Sequence, residues 1–266
     1  MLRLCWQFLI ALLVLSGCPA VYAQTASKTT GSLVINGRAK TTSKTVVLKK
    51  KRFYLFRGDR EANRTLIENL KAANLPSRDC FYCQLKASAE FMQWLKAGDG
   101  NCESIHCREI SQEDITNVPE FQIAFQKGTK PFAKKPELAR KWLVTNLEPG
   151  FRTGLYDARK AMIDGLLKDL PAERLPVQSA MTDNSSSALA NFSSIPLTAA
   201  TEKFIFANLV PVEIGEKSYV WICEVDIGKD KKTPILDAPE SSKIIKKCEV
   251  IVRDLPDCKA GTCDQK

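Results

Sequence analysis

Cysteines decide more about this fold than any other residue type in the sequence. Ten cysteines occur, and all except Cys5 and Cys18 fall into two groups of four, which are separated by more than a hundred residues without cysteine. An even set predicts a disulfide framework in an oxidising compartment. Because the groups are far apart, we expect each to cross-link within itself and to mark a separate module. The groups are Cys80, Cys83, Cys102 and Cys107, and Cys223, Cys248, Cys258 and Cys263.

The first 23 residues have the layout of a secretory signal peptide. Arg3 supplies a basic start, the run 8–15 (FLIALLVL) is continuously apolar, and small residues follow up to Ala23. An uncleaved membrane anchor is the alternative, but this apolar run is shorter than the roughly 20 residues that span a bilayer. The sequence therefore predicts export to a bacterial periplasm or cell envelope, or secretion, and these are compartments in which thiols oxidise.

Two cleavage sites compete within this segment. Cleavage after Ala23 would use the small residues that signal peptidase requires. The run 15–18 (LSGC) instead resembles the lipobox of bacterial lipoproteins, which makes Cys18 a candidate for lipidation. Such a lipid would anchor the protein on a membrane surface. Residues 24–30, which are polar and contain three threonines, are expected to form a tether.

Charge points to an acidic partner. The formal net charge of +9 becomes about +8 when Arg3 is removed, and an excess of this sign favours anionic lipid or envelope polymer as a partner. The alternative is that a soluble surface carries this charge without any partner. The predicted compartment disfavours nucleic acid. The densest basic cluster precedes the aromatic run 53–56 (FYLF), and such an arrangement can rest on anionic headgroups or polymer. The alternative, which we favour, is a solvated hairpin end followed by a core strand. The basic cluster is Lys49, Lys50, Lys51 and Arg52.

Periodicity predicts a disulfide-stabilised α+β fold in which a helical domain is flanked by an N-terminal β-segment and a β-rich C-terminal domain. Residues 31–58 form the β-segment, with Asn36-Gly37 as a typical hairpin turn. Residues 202–266 contain three further β-prone runs. Either these two parts form separate sheets, or they pair into one shared sheet.

Residues 59–171 change to helical periodicity and predict the helical domain. Asn117 and Glu120 are spaced as a capping box at the start of one of its helices. Pro136 is placed to open the next helix. The last and longest helix is predicted to bury a stripe of apolar residues on one side: Phe151, Leu155, Ala158, Met162, Leu166 and Leu170.

Residues 172–201 are rich in Ser, Ala, Thr and Asn, and this composition predicts an exposed linker. In the β-rich part beyond it, Cys223 and Cys248 lie in neighbouring apolar runs and can cross-link two strands. Cys258 and Cys263 can close a loop in the tail. Two other pairings of these four cysteines stay open.

The first cysteine group also fits other chemistry. Cys80 and Cys83 form a C-x-x-C motif, and their spacing to Cys102 and Cys107 would allow four thiolates to bind one tetrahedral zinc ion. A redox-active C-x-x-C pair, as in oxidoreductases with a thioredoxin fold, is a third interpretation. Because exported thiols usually oxidise, we favour structural disulfides and expect no cofactor, with zinc as the alternative.

Catalytic motifs do not occur in the sequence. His106 is the only histidine, which excludes any scheme that needs two, and no G-x-S-x-G, H-E-x-x-H or phosphate-binding glycine loop is found. We therefore expect a non-catalytic structural or interaction protein of a bacterial cell envelope. The alternative is a zinc-binding or thiol-redox protein that uses the cysteines between Cys80 and Cys107.

Overall fold

The computed structural model describes residues 29–40, 45–74, 76–97, 103–228, 235–237, 247–256 and 258. The predicted signal peptide and most of the predicted tether lie outside the described residues. So do the lipidation candidate Cys18 and two of the disulfide candidates, Cys102 and Cys263.

The α+β prediction is confirmed: helices occupy the middle of the chain, and strands lie on both sides of them in two sheets whose main strands run antiparallel. The strands are β1 (Thr30–Lys40), β2 (Thr45–Val47), β3 (Arg52–Arg57), β4 (Gln178–Met181), β5 (Leu189–Pro196), β6 (Thr201–Ala207), β7 (Val212–Ile214), β8 (Lys217–Gly228), β9 (Ile235–Asp237) and β10 (Lys247–Asp254). The helices are α1 (Arg64–Ala72), α2 (Arg78–Gln84), α3 (Ala89–Lys96), α4 (Gln112–Asn117), α5 (Pro119–Thr129), α6 (Pro136–Lys141), α7 (Leu143–Asn146) and α8 (Leu155–Lys168), the last preceded by a π-helical turn, Gly150–Gly154.

The two sheets pack face to face. The larger has the strand order β10-β8-β6-β3-β4, with β7 also paired to β8, and the smaller has the order β2-β1-β5, with β9 paired in parallel to β1. Between them lies one apolar core, whose largest side chains include Phe53, Phe192, Phe204 and Trp221. Successive residues of a strand point to opposite faces, so β3 sends Phe53 and Leu55 into this core.

Helices α1 and α8 cover the other face of the large sheet. Phe56 of β3, Ile205 of β6 and Ile222 of β8 pack there against Leu66 and Leu70 of α1. The central strands are buried on both faces, which explains why their sequences are almost continuously apolar instead of alternating.

Helices α2 to α5, α7 and the start of α8 enclose a third core, which is mainly aromatic. Phe91 lies at its centre, with ring centroids 5.1 Å from Phe151 and 5.3 Å from Tyr82. The third helix of the chain begins at Ala89, where Ser88 caps it. Glu120 does not take part in the predicted capping box, because it accepts hydrogen bonds from Ser88. Asn117 is the last residue of α4 and does not start a helix, so the prediction for Asn117 is wrong.

The predicted turn at Asn36-Gly37 is also wrong, because β1 continues through it to Lys40. Gly37 lies on the buried face of the strand, where a Cβ atom would come within 2.8 Å of the carbonyl oxygen of Ala188. Glycine is therefore needed here for close approach of a neighbouring chain segment and not for a turn.

Residues 172–201 were predicted as an exposed linker, and this prediction is wrong. They contain β4, which pairs with β3, and β5, which pairs with β1. Alternate small or apolar side chains of β5 are buried, among them Ala190, Phe192 and Ile195. A composition typical of loops thus forms strands here because one face is covered by the other sheet.

The N-terminal and C-terminal strands share sheets. β3 pairs with β6 in the register Tyr54 to Ala207 and Leu55 to Phe206, so the interpretation as one shared sheet is confirmed.

Disulfide bonds support the fold as predicted, but not all in the expected pairs. Cys223 and Cys248 join β8 to β10 at a Cα separation of 4.0 Å, which confirms that pairing. Cys80 joins Cys258 at a Cα separation of 5.0 Å, so the expectations that each group cross-links only within itself and that Cys258 closes a tail loop are wrong. The reason is topological: β10 runs beside β8 and delivers the tail to α2, a long-range proximity that sequence spacing does not reveal.

Candidate functional site

A cleft of about 620 Å³ lies between helix α8 and two strands of the large sheet, the edge strand β4 and its neighbour β3. The register of this strand pair sets Arg52 opposite Met181 and Tyr54 opposite Ser179. Directly opposite residues share a face, and the intervening Phe53 and Ala180 belong to the core between the sheets. The side chains of Arg52, Tyr54, Ser179 and Met181 therefore lie on the face of the sheet that is directed towards the helices.

Helix α8 forms the other wall. The side chains that line the cleft recur every four residues, mostly as adjacent pairs, which places them on one side of the helix. The π-helical turn before α8 adds Arg152 and Thr153. The lining residues of α8 are Leu155, Tyr156, Arg159, Lys160, Ile163, Asp164 and Leu167.

The cleft is strongly basic. Six cationic side chains and two carboxylates, those of Glu103 and Asp164, line it, which gives a formal charge of +4. The cations are Lys50, Lys51, Arg52, Arg152, Arg159 and Lys160. Three members of the basic cluster predicted from the sequence therefore meet three cations of the α8 region, whereas Lys49 is not among the lining residues.

A chain of alternating charges closes the inner end of the cleft. Lys51 donates to Oε1 of Glu103, and Nη1 of Arg159 lies 2.9 Å from Oε2 of the same carboxylate. Nη2 of Arg159 donates to Oε1 of Glu213 at 2.7 Å. Because these residues belong to the segment before β3, the loop after α3, α8 and β7, the chain of ion pairs fastens the helices to the sheet.

The pKa values in this chain favour fixed charges. Partial burial would raise the pKa of Glu103, but the charges of Lys51 and Arg159 outweigh that effect and lower the pKa below its ordinary value. Burial raises the pKa of Tyr82 to about 12. Glu103 is therefore ionised and Tyr82 neutral over the physiological range, and neither is poised to exchange a proton near pH 7.

Three of the six cations that line the cleft have neutral partners or none among the described residues. Nη1 of Arg52 donates to the hydroxyl of Ser179 at 3.0 Å, and Nη1 of Arg152 donates to the carbonyl oxygen of Thr145 at 3.2 Å. Within the part of the chain that the structure describes, no carboxylate forms an ion pair with Lys50, Arg52 or Arg152. These three charges, which we call the rim cations, are free to meet an anion.

The rim has a defined backbone. Lys50 adopts a φ of 54°, in the left-handed region that few residues other than glycine enter. Its amide donates to the carbonyl oxygen of Thr182 at 3.1 Å, and the amide of Thr182 donates to Lys51 at 2.8 Å. These bonds tie the turn that carries Lys50 to the segment that follows β4.

The prediction of a core strand after the basic cluster is confirmed, because Phe53 and Leu55 are fully buried. The cluster itself is not simply a solvated hairpin end, since Lys51 is only 7% exposed and is paired with Glu103. Sequence analysis missed Arg152, Tyr156 and Lys160. Their signal was the polar side of α8, which could not be assigned to a cleft without knowing which strands it faces.

The cysteines are not arranged as a zinc site or a redox-active C-x-x-C pair would require. Cys80 and Cys83 both lie on α2, but Cys80 is bonded to Cys258, and Cys83 and Cys107 are also disulfide-bonded. Cys80 and Cys83 therefore do not form a C-x-x-C disulfide, and zinc binding would first require reduction of these bonds. Among the described residues, no cluster of three or more His, Cys, Asp or Glu side chains is arranged to hold a metal ion.

A second cavity, of about 630 Å³, lies beside the loop that follows Glu103. Its charges are closer to balance, because Glu109 and Glu137 accompany its cations. Arg108 is also engaged there, since it lies 4.5 Å from the centroid of the Trp94 ring and 3.7 Å from Asp114. The basic cleft is therefore the stronger candidate for a binding site.

Fold and cleft together define the class: a disulfide-linked α+β protein with a basic cleft of ligand size. Searches of protein-family models, curated proteins and solved structures gave no match to the chain. Across the described residues, no helix combines the length and the apolar character needed to cross a membrane.

Proposed function

We propose that this chain is an exported, non-catalytic binding protein of a bacterial cell envelope, and that the basic cleft holds an anionic ligand. The observation that carries this proposal is the convergence of Lys50 and Arg52 with Arg152 around one cavity. Cations without an ionic partner attract anions, and a concave, partly apolar site strengthens that attraction.

The signal-like leader and the disulfide bonds support the envelope location. Disulfides persist in oxidising compartments, and Cys80–Cys258 and Cys223–Cys248 are both formed. Cys18 would carry the lipid if the lipobox is used. Substitution Cys18→Ser is then expected to move the protein from the membrane fraction to the soluble periplasmic fraction, whereas an unchanged distribution would favour cleavage after Ala23.

The charges of the cleft support binding over catalysis. Its two carboxylates are engaged, since Glu103 is paired with Lys51 and Arg159, and Asp164 accepts from Lys160 at 2.6 Å. A general base needs a carboxylate or imidazole that is free to take a proton from the substrate. Within the described lining of the cleft, none has that freedom.

Titration of the exported protein with three anionic probes tests the proposal: dodecyl phosphate, sulfated dextran, and vesicles that contain phosphatidylglycerol. The triple variant Lys50→Ala, Arg52→Ala, Arg152→Ala removes the rim cations. We expect it to bind the probe that the native protein binds about 100-fold more weakly, because a charge-assisted contact contributes about 1 kcal/mol or more and each 1.4 kcal/mol is tenfold.

The matched control carries the same loss of charge elsewhere: Lys130→Ala, Lys134→Ala, Lys135→Ala, three exposed lysines at and after the end of α5. We expect this control to bind almost as the native protein does. Equal weakening of both triple variants would show that only the overall charge matters, and failure of every probe to bind the native protein would also contradict the proposal.

A further inference from the structure

From the composition of its walls, we infer that the cleft takes an anionic amphiphile with a single alkyl chain, whose head meets the rim cations and whose chain lies along an apolar floor. This inference rests on the proposed function and names the class of ligand.

The floor of the cleft is formed by Tyr54, Tyr156, Ile163, Leu167 and Met181, and it exposes apolar surface that the fold leaves uncovered. Met181, at the edge of the large sheet, is 47% exposed, and Tyr156 on α8 is 67% exposed. Ile163 and Leu167 line the cleft and are only partly buried against the core beneath α8, as is Tyr54. Apolar groups that face each other across a cleft indicate an apolar part of a ligand, which a simple anion does not have.

The charges give the ligand a direction. The rim cations lie at the turn before β3, at the start of β3 and in the π-helical turn before α8. Lys160 is neutralised by Asp164 one turn further along the helix, at 2.6 Å. Burial raises the pKa of the Tyr54 hydroxyl. The charge of Arg52 opposes this rise and the charge of Asp164 adds to it, and the net rise keeps this floor residue neutral. An anionic head is therefore stabilised at the rim, and the apolar chain is directed towards Ile163 and Leu167.

Size favours one chain. The cavity of about 620 Å³ lies inside the range of roughly 300 to 1,000 Å³ that pockets for small ligands occupy. A head with one alkyl chain fits within this volume. An anionic polymer would use the rim but would leave the apolar floor without a partner, which gives up part of the available binding free energy.

The experiment measures the affinity of the intact exported protein for alkyl phosphates of four to twelve carbons, below their micelle concentrations. Each methylene that enters the floor is expected to strengthen binding roughly two- to fourfold, until the floor is filled. The substitution Ile163→Gln places a polar group on the part of the floor that lies towards the end of α8, away from the rim cations. It is expected to weaken binding of dodecyl phosphate about tenfold while leaving butyl phosphate almost unchanged.

The control is Ile123→Gln, an equivalent change at an apolar residue that is 52% exposed on α5, outside the cleft. It is expected to leave the whole series unchanged. An affinity that does not depend on chain length would overturn the inference, as would an Ile163→Gln variant that behaves like the control.

The two proposals fail separately. One outcome separates them: sulfated dextran binds, the triple variant of the rim cations weakens that binding, and chain length has no effect on the affinity for alkyl phosphates. This outcome supports the proposed function and overturns the inference of an amphiphile. If none of these anions binds, both proposals are overturned.

Discussion

Arg159 and Glu213 are joined by a hydrogen bond of 2.7 Å that connects helix α8 to strand β7 of the large sheet. The side chain of Arg159 is only 5% exposed, and the same guanidinium reaches Glu103 on its other side. Nη2 of Arg159 also lies 3.3 Å from the carbonyl oxygen of Pro76. A buried cation with two carboxylate partners fixes the position of α8, and with it one wall of the cleft.

Substitution of Arg159 by alanine is expected to destabilise the protein by about 3 kcal/mol, because it leaves carboxylates in a poorly solvated site without their partner. Urea unfolding of the native and variant proteins measures this difference. Lys160→Ala, at the adjacent position, is the control and is expected to cost far less, since both partners of the Lys160–Asp164 pair are exposed. Similar losses for the two variants would contradict this role of Arg159.

Glu103 is expected to make stability depend on pH. Its pKa is lowered in the folded protein, so the unfolded chain binds more protons in the window between the two pKa values, and stability rises with pH there. The contribution is present above the ordinary pKa of glutamate, about 4.3, and is lost as the pH falls through the folded value. The stability difference between the native protein and Glu103→Gln should therefore be largest near pH 7 and shrink towards pH 3. A difference that is constant over urea titrations at pH 7, 5, 4 and 3 would argue against this coupling.

Removal of the Cys80–Cys258 bond and removal of the Cys223–Cys248 bond should have unequal effects. Cys80 and Cys258 are 178 residues apart in sequence, and Cys223 and Cys248 are 25 residues apart. In the chain-entropy model the longer loop contributes about 5 kcal/mol and the shorter about 3.5 kcal/mol. The double variant Cys80→Ser, Cys258→Ser should therefore unfold at lower urea than Cys223→Ser, Cys248→Ser. The reverse order would show that loop closure does not dominate.

Limited proteolysis should spare the region around residue 190. In a linker this Ser- and Ala-rich stretch would be cut first, but β5 is paired with β1, and its Phe192 and Ile195 are each 1% exposed. We expect no early cleavage between residues 189 and 196, as judged by the masses of the first fragments. Rapid cutting there in the oxidised protein would mean that the strands do not persist in solution.

Part of the fold could be predicted from the sequence, because the helices and the outer strands carry strong local periodicity. Pro136 begins a helix as expected, and Cys223 and Cys248 join neighbouring strands. The turn at Asn36-Gly37 was a local signal that tertiary structure overrode. In the structure every second residue from Leu33 to Ala39 is buried, Gly37 included, and this alternation is typical of a strand.

The site was less predictable, because it depends on which distant segments meet. The basic cluster at Lys50 and Arg52 was visible in the sequence, but its partners on α8 were not. In that helix the predicted stripe included Ala158 and Met162, whereas the structure buries Arg159 to 4% exposure. A charged residue is not expected at a buried position unless its partners are known, and Glu103 and Glu213 lie more than fifty residues away on either side.

Hydrogen exchange with and without bound anion tests the location of the ligand most directly. With dodecyl phosphate, or with sulfated dextran if only the polyanion binds, new protection is expected in residues 48–56, 152–167 and 178–182, the three chain segments that form most of the basic cleft. Unchanged exchange in those segments, together with protection at residues 105–110 and 137–144 of the second cavity, would contradict the account.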